Sequence, residues 1–418
     1  MHPNALLELA TELLHRVLQL QHPADGIVLE FFRQHRALGQ RERHALAETT
    51  WAVLRQRPLL QHLAQSGSGE TERRLAILGW QGNEGFLRAA LDEREQQWLE
   101  RVRAVDRAAL PERLRHNLPE WLAERLHTAV GDEFWPLVES LNAPAPLDLR
   151  VNTLKVRREA VRAALQAAGI DAEPTPYSPW GLRIAGKPAI NKHEIFMRGE
   201  VEVQDEGSQL LALVVDPKRG EMVVDFCAGG GGKTLALGAA MRNTGRLYAF
   251  DTSGHRLAAL KPRLARSGLS NVHPAQISGE RDERIKRLAG KIDRVLVDAP
   301  CTGLGTLRRN PDLKWRQSPQ AVEDLRARQL AILAGAARLV KPGGRLVYAT
   351  CSLLREENEA VAEVFGAAQR EFEPLDAALL LERAHVAGAA GLASGGHLRL
   401  WPHRHATDGF FAAAWQRR

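Results

Sequence analysis

Two cysteines near the C-terminal end of the chain each follow a predicted β-strand. Cys301 lies in the segment 297–303, VDAPCTG, and Cys351 lies in the segment 348–352, YATCS. The chain has 418 residues and three cysteines, so two at equivalent positions indicate a shared role rather than chance. A cysteine thiolate is a strong, soft nucleophile once its pKa is lowered. The pair predicts covalent chemistry by two thiols at one sheet edge, whereas a lone cysteine is more often a small buried apolar residue.

The third cysteine begins a glycine-rich turn at 227–234. The turn contains Cys227, Ala228, Gly229, Gly230, Gly231, Gly232 and Lys233. Consecutive glycines remove the crowding that Cβ atoms would cause, and a turn between a strand and a helix directs its amide groups towards a ligand. A P-loop would need glycine five positions before Gly232, where this chain has Cys227. The turn therefore predicts a nucleotide-like cofactor site and argues against a P-loop ATPase or GTPase.

Asp251 ends the next predicted strand, about 20 residues after the turn, where an acid can accept hydrogen bonds from ribose hydroxyls. It can equally cap the helix predicted at 253–267, and both roles are compatible. The pairing of turn and acid does not separate a dinucleotide from S-adenosylmethionine.

The two thiols and the nearby carboxylate of Asp298 match one reaction in particular. A pyrimidine is unreactive at C5 until a nucleophile adds to C6, which makes C5 electron-rich. This reaction needs a thiol, an acid near ring N3, a base for the C5 proton and a sulfonium methyl donor. Cys301, Cys351 and Asp298 beside a nucleotide-like site predict this chemistry.

A basic run follows Cys301. It contains Arg308, Arg309, Lys314, Trp315 and Arg316. Cations with an indole suit phosphate contacts and base stacking, and the alternative is a solvated basic loop. Residues 1–145 carry 17 arginines, no lysine and 20 acidic residues, a net charge of −3, and the rest of the chain carries +10. This asymmetry favours a polyanionic partner, although a solvated arginine-rich surface would give the same count.

The hydrophobic pattern predicts three regions. Residues 1–140 have leucines at helical spacing and predict an all-helical domain. Residues 145–200 predict a small α/β unit, with strands at 147–152 and 181–184 and a helix at 156–168. Residues 201–418 alternate strands and helices, which predicts an α/β fold with a doubly wound sheet and its ligand beyond the carboxyl ends of the strands. The predicted strands are 222–226, 246–250, 294–298, 345–350 and 410–415, and the predicted helices are 234–241, 253–267, 320–340 and 356–369.

Composition excludes several classes. No apolar run approaches the length of a membrane span, and the N-terminus lacks the pattern of a secretory signal. Three cysteines do not form a disulfide framework, and no segment has metal-ligand spacing. We expect reduced thiols, a cytoplasmic location, no membrane partner, no metal and a monomer.

Taken together, the motifs resemble those of the Nop/Sun-type RNA cytosine-5 methyltransferases. The resemblance rests on 203–210 VQDEGSQL, 298–303 DAPCTG, 308–312 RRNPD, 350–352 TCS, 357–359 ENE and 405–411 HATDGFF. It covers about residues 145–418 and implies a Rossmann-like class I methyltransferase domain with an RRM-like α/β unit. Residues 41–56 more weakly resemble the NusB-like, RNA-binding domain of the bacterial enzyme that methylates 16S ribosomal RNA.

The resemblance also implies individual roles. Cys351 matches the nucleophile that attacks C6, and Cys301 matches the cysteine that assists breakdown of the adduct. Asp298 matches a carboxylate between cofactor and base, and Lys233 a residue that orients catalytic groups. The turn 227–233 matches the loop around the methionine part of S-adenosylmethionine, and Asp251 its ribose contact.

Two departures from the family pattern involve three positions. Gly229 and Gly230 stand where the family has Ala-Pro, which predicts a more flexible turn. Ser278 stands where the family has an acid near the adenine, which puts the adenine contact in doubt and predicts weaker cofactor binding by about 1.5–3 kcal/mol.

The sequence thus predicts methylation of cytosine C5 in RNA, with ribosomal RNA as the expected substrate. One alternative is a DNA cytosine-5 methyltransferase with its nucleophile in the Pro300-Cys301 pair, and the second thiol at Cys351 argues against it. Another is a non-catalytic RNA-binding assembly factor that retains the fold, which the altered positions 229, 230 and 278 favour. The sequence does not identify the target cytosine, or free RNA as against a ribosomal particle.

Overall fold

The computed structural model describes residues 1–418, which form two compact units. The first contains Met1–Pro144 together with Thr306–Pro319, and the second contains Ala145–Gly305 together with Gln320–Arg418. The return of the chain to the first unit at Thr306–Pro319 was not predicted from the sequence.

The first unit is helical. Its N-terminal helices are α1 Pro3–Val17, α2 Ala24–Gln34, α3 Gln40–Arg55, α4 Arg57–Ala64, α5 Thr71–Leu78, α6 Glu84–Ala90, α7 Glu93–Arg103, α8 Glu112–Arg115, α9 Glu120–Val130 and α10 Phe134–Asn142. The 3₁₀ turns Arg107–Ala109 and Gly131–Glu133 connect the later helices. In α1 the apolar residues at helical spacing face inwards: Leu6, Leu7, Leu13 and Leu14 are all buried in one core cluster. Their spacing therefore explains why this face forms the core.

The second unit begins with a small four-stranded antiparallel sheet. Its elements are β1 Leu147–Val151, α11 Arg158–Ala167, β2 Ala172–Pro174, β3 Gly181–Ile184, the 3₁₀ turn Ile190–Lys192, α12 Glu194–Met197 and β4 Val201–Val203. The strand order is β2-β3-β1-β4, which is the ferredoxin-like βαββαβ arrangement. This topology confirms the predicted RRM-like α/β unit.

The large sheet and its helices make up the rest of the second unit, apart from the segment that belongs to the helical unit. The strands are β5 Met222–Asp225, β6 Arg246–Asp251, β7 Val272–Gln276, β8 Ile292–Asp298, β9 Val340–Thr350, β10 Phe372–Leu375, β11 Ala393–Ser394, β12 His397–Leu400 and β13 Phe410–Arg417. The helices are α13 Glu206–Val215, α14 Gly232–Ala240, α15 Gly254–Ser267, α16 Glu283–Arg287, α17 Leu313–Arg316 in the helical unit, α18 Pro319–Ala337, α19 Glu359–Ala368, α20 Ala377–Arg383 and α21 Pro402–His405. The 3₁₀ turns are Leu304–Thr306, Arg355–Glu357 and Ala389–Leu392.

The parallel strands follow the order β7-β6-β5-β8-β9. Chain order reverses between β5 and β8, so this is the switch point at which α/β sheets bind ligands. The arrangement confirms the predicted Rossmann-like class. The predicted strand at 410–415 forms part of β13, which is antiparallel to β9 and lies within the sheet because β12 and β10 also pair with it.

Alternate side chains of the strands fill two cores, one on each face of the sheet. Val223, Leu296 and Val347 belong to one core, and Val224, Val295 and Leu346 belong to the other. Strands buried on both faces read as continuous apolar runs, which is why β5, β8 and β9 were predictable. β7 was not predictable from the sequence, because it is an edge strand that contains Pro274 and has exposed positions. No helix of either unit combines the length and apolarity that crossing a membrane requires.

Candidate active site

The glycine-rich turn lies directly after β5 at the switch point and is fixed by backbone hydrogen bonds. Ala228 N donates to Phe250 O at 2.8 Å, and Gly231 N donates to Ala228 O at 2.8 Å. Gly229 and Gly231 have φ of +52° and +82°, values that side chains with a Cβ rarely adopt. A Cβ on Gly231 would also lie 2.1 Å from Leu260 Cδ1. Both positions therefore require glycine in this conformation, including position 229, where the family has alanine.

The acid at the end of β5 supports the turn. Asp225 is buried, and its Oδ2 accepts a hydrogen bond from Thr234 Oγ1 at 2.7 Å. Burial raises the pKa of Asp225 to about 7, and the bond from Thr234 only partly opposes this. Its Oδ1 is buried without a partner. A bound ligand with a hydrogen-bond donor would satisfy that oxygen, since orphaned buried acceptors are rare in native proteins.

Asp251, at the end of β6, accepts hydrogen bonds from Gly229 N and Ser253 N, both at 2.8 Å. The cap of α15 is Ser253, whose side chain accepts from Arg256 N. Asp251 is thus not the helix cap itself. A carboxylate offers about four acceptor positions, so two stay available for ribose hydroxyls beside the turn.

Ser278 follows β7 and is exposed. Its amide and hydroxyl donate to Asp282 Oδ2 at 2.9 and 3.2 Å. The carboxylate of Asp282 therefore lies beside Ser278, at the position where the family has its acid. A comparison of residue 278 alone with the family pattern does not reveal this carboxylate.

Cys301 and Cys351 lie at the same sheet edge because β8 and β9 are parallel neighbours, with Asp298 opposite Ala349. Their Sγ atoms are 3.4 Å apart. The two loops are also joined through the backbone, since Gly305 N donates to Cys351 O at 2.8 Å. The structure thus brings the predicted sulfur pair together in hydrogen-bond contact.

The thiols are not equivalent. The hydrogen bond with Cys351, followed by burial and the charge on Cys351, holds the pKa of the Cys301 thiol well above its usual value. Burial likewise raises the pKa of Cys227 far above its ordinary range. Cys227 is therefore an unreactive thiol that contributes packing to the cofactor turn, and Cys301 retains its proton.

Lys233 and Asp298 form an ion pair beside the sulfurs, with 2.7 Å between Nζ and Oδ2. Burial lowers the pKa of Lys233, but the charge and hydrogen bond of Asp298, with further contributions from Cys351 and Asp225, outweigh it and raise that pKa. Lys233 Nζ also lies 5.6 Å from the centroid of the Phe410 ring. The first turn of α14 therefore supplies a cation that interacts with both Asp298 and Cys351.

These residues fit a methyl donor with an adenosine and an amino-acid part. The glycine turn permits close approach, Asp251 offers acceptors for a ribose, and the unpartnered Asp225 Oδ1 can accept from an ammonium group. The fit rests on Asp225, Asp251 and residues 227–233.

Three residues of the basic run after Cys301 do not lie on an exposed phosphate-binding surface, which corrects the sequence prediction for these three. Arg308 and Lys314 are buried, and Trp315 is half-buried against the core of the helical unit. Lys314 Nζ donates to Arg55 O at 2.8 Å and to Asn142 Oδ1 at 2.9 Å.

The contacts of this segment satisfy carbonyl groups at the C-terminal end of α3. Lys314 and Trp315 donate to Arg55 O and Leu54 O in the last turn of α3, the Trp315 bond being 2.7 Å long. Helix C-terminal carbonyls lack intrahelical partners and attract cations. Arg309 is half-buried, and its RNA contact stays a prediction. In the sequence, a buried lysine cannot be told from a solvated one.

Sequence reasoning assigned no role to a group of buried polar residues behind the cysteine loops. They are Gln329, Tyr348, Glu357 and Asn358. The signal was the motif ENE at 357–359, which served above only as part of a resemblance.

The chain matches known families over most of its length. Residues 212–416 match the family described as 16S rRNA methyltransferase RsmB/F, and residues 118–191 match the RsmF/B-like, ferredoxin-like domain. A relative in Synechocystis, the probable ribosomal RNA small subunit methyltransferase B, is 37% identical over 71% of this chain and 66% of its own length. The probable ribosomal RNA small subunit methyltransferase B of Bacillus subtilis is 33% identical over 82% of this chain and 76% of its own length.

Solved structures share the fold of this chain. The crystal structure of PH0851 superposes with a TM-score of 0.81 and 27% identity, covering 100% of this chain and 98% of that one. A methyltransferase homolog from Pyrococcus horikoshii gives a TM-score of 0.63 and 30% identity over 75% of this chain and 100% of its own. The family match over residues 212–416 includes both Cys301 and Cys351, and the chain therefore belongs to the RsmB/F family of 16S rRNA methyltransferases.

Proposed function

We propose that this chain transfers a methyl group from S-adenosylmethionine to C5 of a cytosine in ribosomal RNA, through a covalent bond between Cys351 and C6. The observation that carries the proposal is the pair of Sγ atoms 3.4 Å apart at the carboxyl edge of the sheet. That edge is the ligand-binding edge of the fold.

The proposed reaction divides between the two sulfurs. Cys351 adds as thiolate to C6, and the electron pair displaced to C5 forms the new carbon–carbon bond. S-adenosylmethionine, when bound at the glycine turn, supplies an electrophilic methyl group and leaves as the neutral thioether. A base then removes the C5 proton, and the bond between Cys351 and C6 breaks, which restores the aromatic ring. Cys301, held as a thiol next to Cys351, assists this elimination.

We assign the remaining groups by position. Asp298 lies between the glycine turn and the cysteine loops, where its carboxyl group can hydrogen-bond the polar edge of cytosine. Lys233 holds Asp298 through the 2.7 Å ion pair and stabilises negative charge on Cys351. Residues 227–233 and Asp251 hold the cofactor. We further propose that the helical unit and the ferredoxin-like unit bind the RNA, and that the reaction takes place in the cytoplasm.

Single substitutions of the two cysteines test this division of roles. With RNA and S-adenosylmethionine, Cys301→Ala should accumulate a covalent protein–RNA adduct that survives denaturing electrophoresis, because elimination is slowed. Cys351→Ala should form no adduct and lose turnover by at least about 10⁴-fold, as expected when a nucleophile is removed.

The same two variants separate the alternatives. The reversed adduct pattern would assign the nucleophile to Cys301, as in DNA cytosine-5 methyltransferases. Wild-type turnover in Cys351→Ala would rule out the covalent mechanism altogether. A protein that binds no S-adenosylmethionine in calorimetry, with and without RNA, would instead be a non-catalytic assembly factor.

The target cytosine requires an experiment in cells. Bisulfite sequencing of ribosomal RNA with and without the gene should show one protected cytosine that becomes convertible on deletion. Free RNA and ribosomal subunits, compared as substrates in vitro, decide the stage at which methylation occurs. That the chain acts as a monomer stays a prediction.

A further inference from the structure

One buried carboxylate, that of Glu357, holds both cysteine loops. Glu357 ends a 3₁₀ turn after β9 and is 0% exposed. Its Oε1 accepts from Thr302 N at 2.9 Å and from Gln329 Nε2 at 3.0 Å. Its Oε2 accepts from Thr302 Oγ1 at 2.5 Å and from Ser352 Oγ. Since Thr302 follows Cys301 and Ser352 follows Cys351, one side chain fixes the residue after each sulfur.

The hydrogen-bond count matches the ionised form of this side chain. A carboxylate has about four acceptor positions and no donor, and the four donors around Glu357 are neutral groups. A protonated carboxyl would have to donate in place of one of these bonds. The network therefore accommodates a buried negative charge beside Cys301. That charge raises the Cys301 pKa further, after the hydrogen bond with Cys351, burial and the charge on Cys351.

Neighbouring side chains extend the same support. Gln329 Nε2 also donates to Pro300 O at 3.0 Å, on the other side of Cys301. Asn358 Nδ2 donates to Ser352 O at 3.0 Å, and Asn358 Oδ1 accepts from Thr350 Oγ1. Both sulfurs thus sit in loops whose flanking residues are held from behind by buried polar side chains.

Other titratable groups face the sulfur pair. Lys233 on α14, paired with Asp298 at the end of β8, interacts with the charge on Cys351. Tyr348 on β9 is buried, donates to Glu357 O at 2.6 Å, and its pKa is raised by burial and then by the charges of Cys301 and Glu357. Lys233 interacts with the charge on Cys351. The negative charge of Glu357 acts on Cys301 and favours the neutral thiol of that residue.

We propose that Glu357 is a positioning residue for the methyl transfer: it fixes the spacing of the two cysteine loops and places a buried negative charge next to Cys301, so that Cys351 is the sulfur that adds to the base. This proposal rests on the proposed function, but its main test requires neither RNA nor a methyl donor.

The relative reactivity of the two sulfurs can be measured by alkylation with iodoacetamide from about pH 7 to about pH 10. Mass spectrometry of peptides then gives a rate for each cysteine. Cys351 should react at least about tenfold faster than Cys301 in the wild type near pH 8. Glu357→Gln keeps the size and removes the charge, so the rate for Cys301 relative to Cys351 should rise about tenfold. Glu357→Asp keeps the charge and shortens the reach, so this ratio should stay within about threefold while kcat falls at least about tenfold with an unchanged KM for RNA.

A merely structural role predicts the opposite ranking, with Glu357→Gln close to wild type in alkylation and Glu357→Asp further from it. That ranking, or a wild-type alkylation ratio in a folded Glu357→Gln protein, would overturn the proposal. Glu363→Gln is the matched control, because Glu363 is 59% exposed in an ion pair with Arg355, and both alkylation rates should stay unchanged.

Should Glu357→Gln fail to fold, Ser352→Ala provides the second test. It removes one of the four donors and should lower kcat at least about tenfold at constant KM, and wild-type kcat would contradict the positioning role. Absence of methylation in the wild type would overturn the proposed function alone, since the alkylation ratios would still report on Glu357.

Discussion

Cys301 and Cys351 are separated in function by their surroundings rather than by their chemistry. Both are thiols after parallel strands, and they share one hydrogen bond. A proton on one sulfur stabilises an anion on the other, because a charge-assisted hydrogen bond is stronger than a neutral one. The raised pKa of Cys301 therefore keeps this sulfur protonated beside Cys351.

Asp225 gives a pH prediction at the same scale. Burial raises its pKa from 3.8 to about 7, so the folded chain keeps this proton to higher pH than the unfolded chain. Its contribution to the free energy of unfolding is complete below about pH 4 and is lost as pH rises through about 7. The stability of Asp225→Asn relative to wild type should therefore increase as the pH rises from about 5 to about 8. In urea titrations the increase should be on the order of 1–3 kcal/mol.

A paired variant checks the cause. Thr234→Val removes the hydroxyl that favours the Asp225 carboxylate, so its stability should fall more steeply with pH than that of the wild type. A stability difference between Asp225→Asn and wild type that stays constant over this range would show that Asp225 is already ionised in the folded protein at pH 5.

The residues that could be predicted from sequence are those with rare types or special backbone needs. Cys301, Cys351 and the glycines of the turn stand out because cysteine is scarce here and glycine is needed at positive φ. Glu357 could not be predicted, because an acid that accepts bonds from buried donors looks like any other acid in a chain with 50 acidic residues. Burial decides its role, and burial depends on the tertiary fold.

At the scale of elements, the segment around α17 complements the charges of two helix ends. Asp312 accepts from Ala24 N, at the start of α2, at 3.2 Å, while Lys314 donates to the end of α3. Anions favour helix N-termini and cations favour C-termini. The run that the sequence interpretation took for an RNA-binding loop is therefore an integral part of the helical unit.

Removing the acid tests this arrangement. Asp312 is buried, so Asp312→Ala should lower the free energy of unfolding of the helical unit by about 1–2 kcal/mol, as for loss of a helix cap. Asp25→Ala is the control at the same helix end, because Asp25 is exposed and its loss should cost less than about 0.5 kcal/mol. Equal effects in chemical denaturation would show that Asp312 has no special role.

Elements differ in how far the sequence determines them. β3 Gly181–Ile184 has the bounds that were predicted, and β5, β6 and β8 differ from prediction by one or two residues at an end. Strands β10, β11 and β12 were missed because they are short and lie towards one side of the sheet, where neighbouring strands rather than apolar runs define them. α17 was missed because its stability comes from partners distant in sequence.

At the scale of the whole molecule, strand order decides where chemistry occurs. The reversal between β5 and β8 brings the glycine turn beside Asp298, and the next parallel strand adds Cys351 to the same edge. This order follows from right-handed crossovers in an alternating α/β chain, so the fold class and the site edge were predictable. The return of residues 306–319 to the helical unit was not, because no local pattern encodes it.

Two fragments test the division into units. A fragment that begins at Ala145 leaves the apolar side chain of Trp315 without its partners in the helical core, so it should aggregate or bind a hydrophobic dye. The same fragment with residues 306–319 replaced by a glycine-serine linker of equal length should stay monodisperse and bind S-adenosylmethionine in calorimetry. Equal solution behaviour of the two fragments would contradict the assignment of this segment to the helical unit.

The covalent path between the two bodies has a consequence for how such proteins can diversify. Three junctions join them, after Pro144, Gly305 and Pro319. A gene fusion that exchanged only residues 1–144 would combine a foreign helical unit with the recipient's own segment 306–319, which would not fit it. A viable chimera must therefore exchange both parts together. The inheritance of the helical unit is thus tied to a segment that begins a few codons after Cys301.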